Sequence, residues 1–272
     1  LYGSPTAPVP LRGCPDCGYQ PTIDPAAAFA GGQVTNGSTL YVTDQATTAP
    51  SACPQCGVTL RLGDALHTHP EFNEEGENGN AMSRLMNVSE RLMMVGHIEA
   101  TMQEDPSLLT KVLLVTDGPL AIFGTRSGSL APKFGAFLAD VNRRLLAAGL
   151  PLVQHVGIEK TGSFADHARL VSEFIEPGHV MLPTGRYIQK YIVRRVDDHN
   201  IYGAHEFYGR RFFYRTRAGG MLVLTVPPVP GVAAYSKDPA SEDWASYPTL
   251  PSIVRHLESM TSRLYANAVV PL

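Results

Sequence analysis

Four cysteines stand in two pairs, Cys14-Pro15-Asp16-Cys17-Gly18 and Cys53-Pro54-Gln55-Cys56-Gly57. Each is a C-P-x-C-G knuckle. Two residues between ligands and a following glycine let both sulfurs reach one tetrahedral ion while backbone N–H groups point at the thiolates. Two such knuckles complete a four-cysteine zinc site, closed to substrate and therefore structural. The 35 residues between Cys17 and Cys53 exceed the usual ribbon spacing of about 15–20. The intervening Gly, Ala and Thr read as a hairpin extension. Two disulfides are the competing reading, and nothing else in the chain points to secretion.

A second group of residues could do different chemistry. Val112 to Val115 form an apolar burst of strand length that ends in Thr116-Asp117-Gly118-Pro119. Four consecutive apolar residues fit a strand buried on both faces, and side chains at the exit of such a strand line the crevice where ligands bind. Asp117 is either a turn former or a ligand-facing carboxylate. Glu90 lies among Met86, Met93 and Met94 on a helical pattern, a metal-binding candidate or a surface glutamate at the margin of the stripe. Gly157-Ile158-Glu159-Lys160-Thr161-Gly162 again places charge where an apolar strand ends.

These groups need elements to hold them. Helices are expected over 81–103 (Met82, Leu85, Met86, Met93, Val95 and Ile98 at helical spacing) and over 134–148, stopped by Gly149 and Pro151. A third should open at Ser163 as N-cap and run to about Glu176. Strands are expected after Pro106, over 152–158 and over 221–226, the last closed by a proline cluster. The alternation argues α/β. Residues 62–80, acidic and without Lys or Arg, read as a solvated loop.

The segment from Arg186 to Arg217 has another character. It carries Arg186, Lys190, Arg194, Arg195, Arg210, Arg211, Arg215 and Arg217, interleaved with Tyr187, Tyr191, Tyr202, Phe207, Tyr208, Phe212, Phe213 and Tyr214. Cations neutralise phosphates and aromatic rings stack on bases. The alternative is a hairpin whose rings face the core and whose arginines face water.

With 272 residues, 44% of them hydrophobic, the chain can build one large core or two modest ones. A net charge of −3 leaves any nucleic-acid contact to a local basic surface. No apolar run approaches the roughly 20 residues a membrane span needs, and no signal peptide opens the chain, so a cytoplasmic protein is expected. The proline-rich start and the apolar end, Ala268 to Leu272, read as cut ends of something longer.

The two knuckles, Leu85-Met-Asn-Val-Ser-Glu90-Arg-Leu, Val115-Thr-Asp117-Gly-Pro-Leu-Ala-Ile-Phe-Gly124, Gly157-Ile-Glu-Lys160-Thr-Gly-Ser-Phe and Tyr208-Gly-Arg-Arg-Phe occur in an order that resembles the NurA nuclease family, in particular its bacterial members with a zinc ribbon. The resemblance implies a zinc ribbon over 11–60. Over 61–272 it implies the C-terminal part of an RNase H-like α/β domain, a mixed sheet with flanking helices. It further implies a metal-dependent deoxyribonuclease that processes DNA ends (5′–3′ exonuclease, endonuclease or both) with a HerA-type hexameric translocase, and a possible homodimer. Asp117 and Glu90 match its Mn2+ or Mg2+ ligands, and Lys160 a basic residue beside the scissile strand. Arg186, Lys190, Arg210, Arg211 and Tyr208 are the expected nucleic-acid contacts. The family's first metal aspartate, in an Asp-Gly-Ser strand, and its terminal histidine have no match between Leu1 and Leu272. The alternative is therefore a non-catalytic zinc-ribbon DNA-binding or scaffold subunit.

Overall fold

Strand β1 (Val9–Leu11) pairs antiparallel with β2 (Leu40–Val42), joining the residues just before the first knuckle to the insertion that separates it from the second. Helix α1 (Gly79–Glu104) follows. The computed structural model describes residues 9–11, 14, 16–19, 40–42, 52–59, 78–123, 130–193, 202–204 and 206–260. The acidic loop expected over 62–80 lies outside these residues, apart from its last three positions, and so do Arg194 and Arg195. The chain divides into two compact units, Leu1–Glu90 and Arg91–Leu272, with the division inside α1. No helix among the described residues is long and apolar enough to cross a membrane.

Helix α1 ends where Pro106 withholds its N–H, and the Asp105 side chain accepts from Ser107 N at 3.0 Å to open a 3-10 turn. Its buried residues are Ala81, Val88, Arg91, Val95, Ile98 and Met102, a clean helical stripe. The expected stripe coincides with this one at Val95 and Ile98 and departs from it at the methionines. Met82, Met86 and Met93 are each at least 60% exposed, whereas a buried arginine, Arg91, belongs to the inward face.

In the second unit β3 (Leu113–Asp117), α2 (Leu130–Ala147) and β4 (Gln154–Glu159) form a parallel crossover, with Asp117 opposite Ile158. Helix α2 buries Phe134, Leu138, Val141 and Leu145, close to the expected pattern, and its Asn142 Oδ1 accepts from Val153 N at 3.0 Å. Helix α3 (Ser163–Leu170) is shorter than expected, with a 3-10 turn (Ser172–Phe174) after it. Gly162, not Ser163, occupies the N-cap position.

The chain continues through β5 (Val180–Met181), α4 (Gly185–Ile188), a π-helical turn (Gln189–Val193), β6 (Arg210–Arg215), β7 (Met221–Val226) and α5 (Leu250–Met260). Sheet order is β3-β4-β7-β6-β5, with the first pair parallel and the others antiparallel. The result is a mixed α/β unit with a five-stranded sheet and flanking helices. Alternate residues of β6 and β7 enter opposite cores. Phe212, Tyr214, Leu222 and Leu224 join Leu250, Ile253 and Leu257 of α5. Phe213 and Val223 join Phe164, Ala165 and Ala168 of α3. Covered on both faces, these strands bury nearly every side chain.

Candidate functional site

In the first unit the two knuckles fold alike. Cys14 N donates to Tyr19 O (2.8 Å) and Gly18 N to Cys14 O (3.1 Å); Cys53 N donates to Val58 O and Gly57 N to Cys53 O, both at 2.9 Å. Gly18 and Gly57, at φ 71° and 75°, take the left-handed conformation that completes each turn. The four sulfurs lie within 4.8 Å of one another, with Cys14–Cys56 at 3.6 Å and Cys17–Cys53 at 3.8 Å. A tetrahedron of thiolates about 2.3 Å from a central zinc has edges of about 3.8 Å, so the quartet fits a structural metal such as zinc. These separations are far beyond a bond, and all four cysteines are free.

The thiols do not share one proton affinity. Burial pushes Cys53 up, but the N–H groups of Cys56 and Gln55 and the sulfurs of Cys14 and Cys56 outweigh it and bring the group down to about 7. At Cys56 the Val58 N–H pulls down, but burial and the other three sulfurs prevail and raise it to about 12. Four adjacent thiolates need a cation between them.

In the second unit Asp117 and Lys160 stand at the exits of the parallel strands β3 and β4, with Lys160 Nζ 3.1 Å from Asp117 Oδ1. The carboxylate is 69% exposed and the lysine 38%. Exposed pairs contribute under about 1 kcal/mol, so this one places charge rather than holding the fold together.

The turn after Asp117 is tied down on every side. Gly118 N donates to Ile158 O (2.8 Å), Leu120 N to Thr225 Oγ1 (2.9 Å) and Tyr208 N to Leu120 O (3.0 Å), while Arg91 Nη2 donates to Pro119 O (3.2 Å). Gly118 takes φ 88° there. On β4, Gly157 lets this turn lie against the sheet: a Cβ would fall 2.3 Å from Thr225 Oγ1, 2.5 Å from Gly118 O and 2.9 Å from Leu120 N. Beneath it His155 is fully buried, with Nε2 3.0 Å from Thr116 Oγ1. Burial, aided by the positive charge of Arg91, holds its pKa down at about 3, so the ring is neutral.

Next to Lys160, Glu159 has the opposite environment. It is buried and takes Arg211 in a two-pronged pair, Nε to Oε1 at 2.6 Å and Nη2 to Oε2 at 3.0 Å. The guanidinium lies 3.7 Å from the Phe164 ring centre and 4.3 Å from that of Phe207, and its Nη1 donates to Tyr202 Oη at 2.7 Å. Burial works against the charge of Arg211, and the Glu159 pair more than restores it. Arg169 donates to Lys160 O (2.9 Å) and to Asp166 (2.8 Å), which steadies the segment that presents Lys160.

The expected nucleic-acid contacts divide into two groups. Arg210, Arg211 and Tyr208 are internal, which corrects the reading of them as surface groups. Arg210 (1% exposed) donates to Ala234 O, Pro183 O and Glu242 Oε1 and lies over the Tyr235 ring. Tyr208 (4% exposed) stacks on Phe134, and burial, only partly opposed by Arg91, raises its hydroxyl to about 12. The cause is the two-sided cover of β6, which leaves its cations to act as internal struts. Arg186 on α4 and Lys190 on the π-helical turn after it are exposed, beside Tyr187 and Tyr191. Glu90 is an exposed residue of α1. Among the described residues the cysteine quartet is the one group of three or more His, Cys, Asp or Glu side chains near enough to share an ion.

The sequence reading missed the Glu159–Arg211 pair and the role of Gly157. The charge at the end of β4 was visible, but the arginine that meets it comes from a distant strand. An apolar hollow of about 330 Å3 is lined by Ala131, Gly135, Phe207, Tyr208, Val229 and Tyr235, among others, and holds neither Asp117 nor Lys160. Compared with known proteins, the chain matches no family model, no curated protein and no solved structure.

Proposed function

We propose that this chain is part of a metal-dependent DNA nuclease of NurA type, with an RNase H-like domain and a structural zinc ribbon, acting in the cytoplasm on DNA ends beside a HerA-type translocase. The support is the ordered set of motifs together with one local arrangement. Asp117 is an exposed carboxylate on a rigid turn at the mouth of a parallel strand pair, with Lys160 beside it. A ligand-facing carboxylate needs such a fixed backbone, and a bare turn former does not.

Zinc would be held by Cys14, Cys17, Cys53 and Cys56, whose spacing suits it, and would cross-link the two knuckles. Mn2+ or Mg2+, when bound, would polarise a phosphoryl oxygen and activate water. Hard cations take about six oxygen ligands. Asp117 and Glu90 are the carboxylates the reading assigns to them, and the described residues fall short of a full donor set. Among the described residues, the contributions of the second unit are to hold Asp117 still and to set the Lys160 cation where a phosphate would draw near.

That shortfall favours a second reading, a non-catalytic zinc-ribbon DNA-binding or scaffold subunit. Digestion of linear DNA with Mn2+ separates the two. The nuclease reading expects wild-type protein to degrade DNA and Asp117→Ala and Glu90→Ala each to abolish the activity. Survival of activity in both variants overturns the site assignment, and an inert wild type favours the scaffold.

A further inference from the structure

Thr184 starts the α4 turn, its Oγ1 accepting from Tyr187 N at 3.1 Å. Ile188, Ile192 and Val193 turn into the core around α3. Anchored this way, α4 and the π-helical turn leave Arg186, Lys190 and Tyr191 exposed, while Tyr187 packs half-buried against the core. Tyr187 is fixed, with Oη 2.8 Å from His167 Nε2 and its ring 5.5 Å from the histidine ring. Tyr191 leans on Tyr187, ring centres 4.9 Å apart at 51°, and remains 50% exposed. Lys190 Nζ lies 4.9 Å from the Tyr191 ring centre.

Among the described residues no carboxylate lies within ion-pair distance of Arg186 or Lys190. Glu242, which accepts from Gly185 N at 2.6 Å, is already neutralised by Arg210 at 3.0 Å. Two cations that no carboxylate among the described residues offsets, next to a braced and half-exposed aromatic ring, match a phosphate–base repeat better than they match an acidic peptide. A peptide carboxylate would use the cations and leave the ring idle. A duplex would also leave it idle, because its bases are already stacked on one another.

We propose that Arg186, Lys190 and Tyr191 form a binding site for single-stranded nucleic acid, with one base on the exposed part of the Tyr191 ring and flanking phosphates on the two cations. This takes up the nucleic-acid part of the preceding reading and adds the strand form and the stacking residue. Tyr187 and His167 are positioning residues that set the angle of Tyr191.

The test is fluorescence anisotropy of labelled oligo(dT), and of its duplex with oligo(dA), using the full chain in buffer without Mn2+ or Mg2+ so that hydrolysis plays no part and the cysteine site keeps its metal. Tyr191→Ala is expected to weaken oligo(dT) binding by roughly 5- to 150-fold, the range of one lost base–aromatic stack. Tyr191→Phe should bind like wild type, and duplex binding should not respond to Tyr191→Ala. Lys190→Ala should reduce the salt slope for oligo(dT) by about 0.7. Wild-type protein that fails to bind oligo(dT), Tyr191→Ala that binds it unchanged, or an equal loss on duplex overturns the proposal. A chain that binds in this way without cutting DNA retains this site and loses the nuclease reading. A chain that cuts DNA while Tyr191→Ala binds normally shows the reverse.

Discussion

Gly157→Ala is the most direct probe of how Asp117 is held. The new methyl would lie 2.3, 2.5 and 2.9 Å from Thr225 Oγ1, Gly118 O and Leu120 N, and two of these three atoms are backbone. Rotation of Thr225 relieves the first contact only by giving up the hydrogen bond from Leu120 N, leaving a buried donor unpaired at about 1–3 kcal/mol. The two backbone contacts require the Gly118–Leu120 turn to lift from the sheet, an overpacking cost of about 1–3 kcal/mol. Lower entropy of the unfolded chain returns about 0.4–1 kcal/mol. The balance is about 3 kcal/mol of destabilisation, or roughly 6–12 °C in Tm for a unit of this size. Thermal unfolding followed by circular dichroism measures it. Gly96→Ala, on the exposed side of α1 with nothing within 4 Å, is the control and should be neutral or stabilising. A Gly157→Ala protein that melts within a degree of wild type would show that the turn does not lie against β4 as described.

Three further outcomes are expected. His155 is neutral in the fold, with a pKa near 3 against 6.5 when unfolded, so below pH 6.5 the unfolded chain takes up a proton that the folded one refuses. Its stability contribution is complete above pH 6.5 and declines by up to about 1.4 kcal/mol per pH unit toward pH 3; urea unfolding of His155→Gln between pH 5 and 7 should show a shallower slope, and an unchanged slope argues against the burial. Glu159→Gln leaves Arg211 charged and unpaired in the core and should cost about 3–5 kcal/mol, whereas Glu159→Leu with Arg211→Met together should cost far less; equal losses would contradict this account of the pair. Elemental analysis should find about one zinc per chain, lost in Cys53→Ser, and a thiol reagent should titrate the cysteines much faster after chelation; absence of zinc would remove the ribbon.

The parts of the fold legible in the sequence were those set by local pattern. Strand β7 stands at 221–226 as expected, because an apolar run closed by prolines admits few other structures. The cysteine site was legible because its ligands are the whole cysteine content and repeat one motif. The buried face of α1 was legible only in part, at Val95 and Ile98. Methionine at helical spacing satisfies an apolar pattern whether or not it is covered, and a buried Arg91 breaks that pattern from inside. Its Nη2 meets a carbonyl on the turn after β3, a long-range contact that no window of sequence contains.

The same limit explains the two fates of the arginine–aromatic segment, and they follow from strand cover rather than composition. Residues 210–215 enter the sheet between β5 and β7, where helices close both faces, so a cation there survives only by capping carbonyls or pairing with Glu159 or Glu242. Residues 185–193 run through α4 and the π-helical turn after it, where Ile188 is buried as the anchor and Arg186, Lys190 and Tyr191 are exposed. The link between the two is mechanical. Arg210 holds Glu242, and Glu242 receives the first N–H of the turn that carries Arg186. A cation read from sequence as a phosphate contact thus serves to brace the turn on which the exposed cations stand.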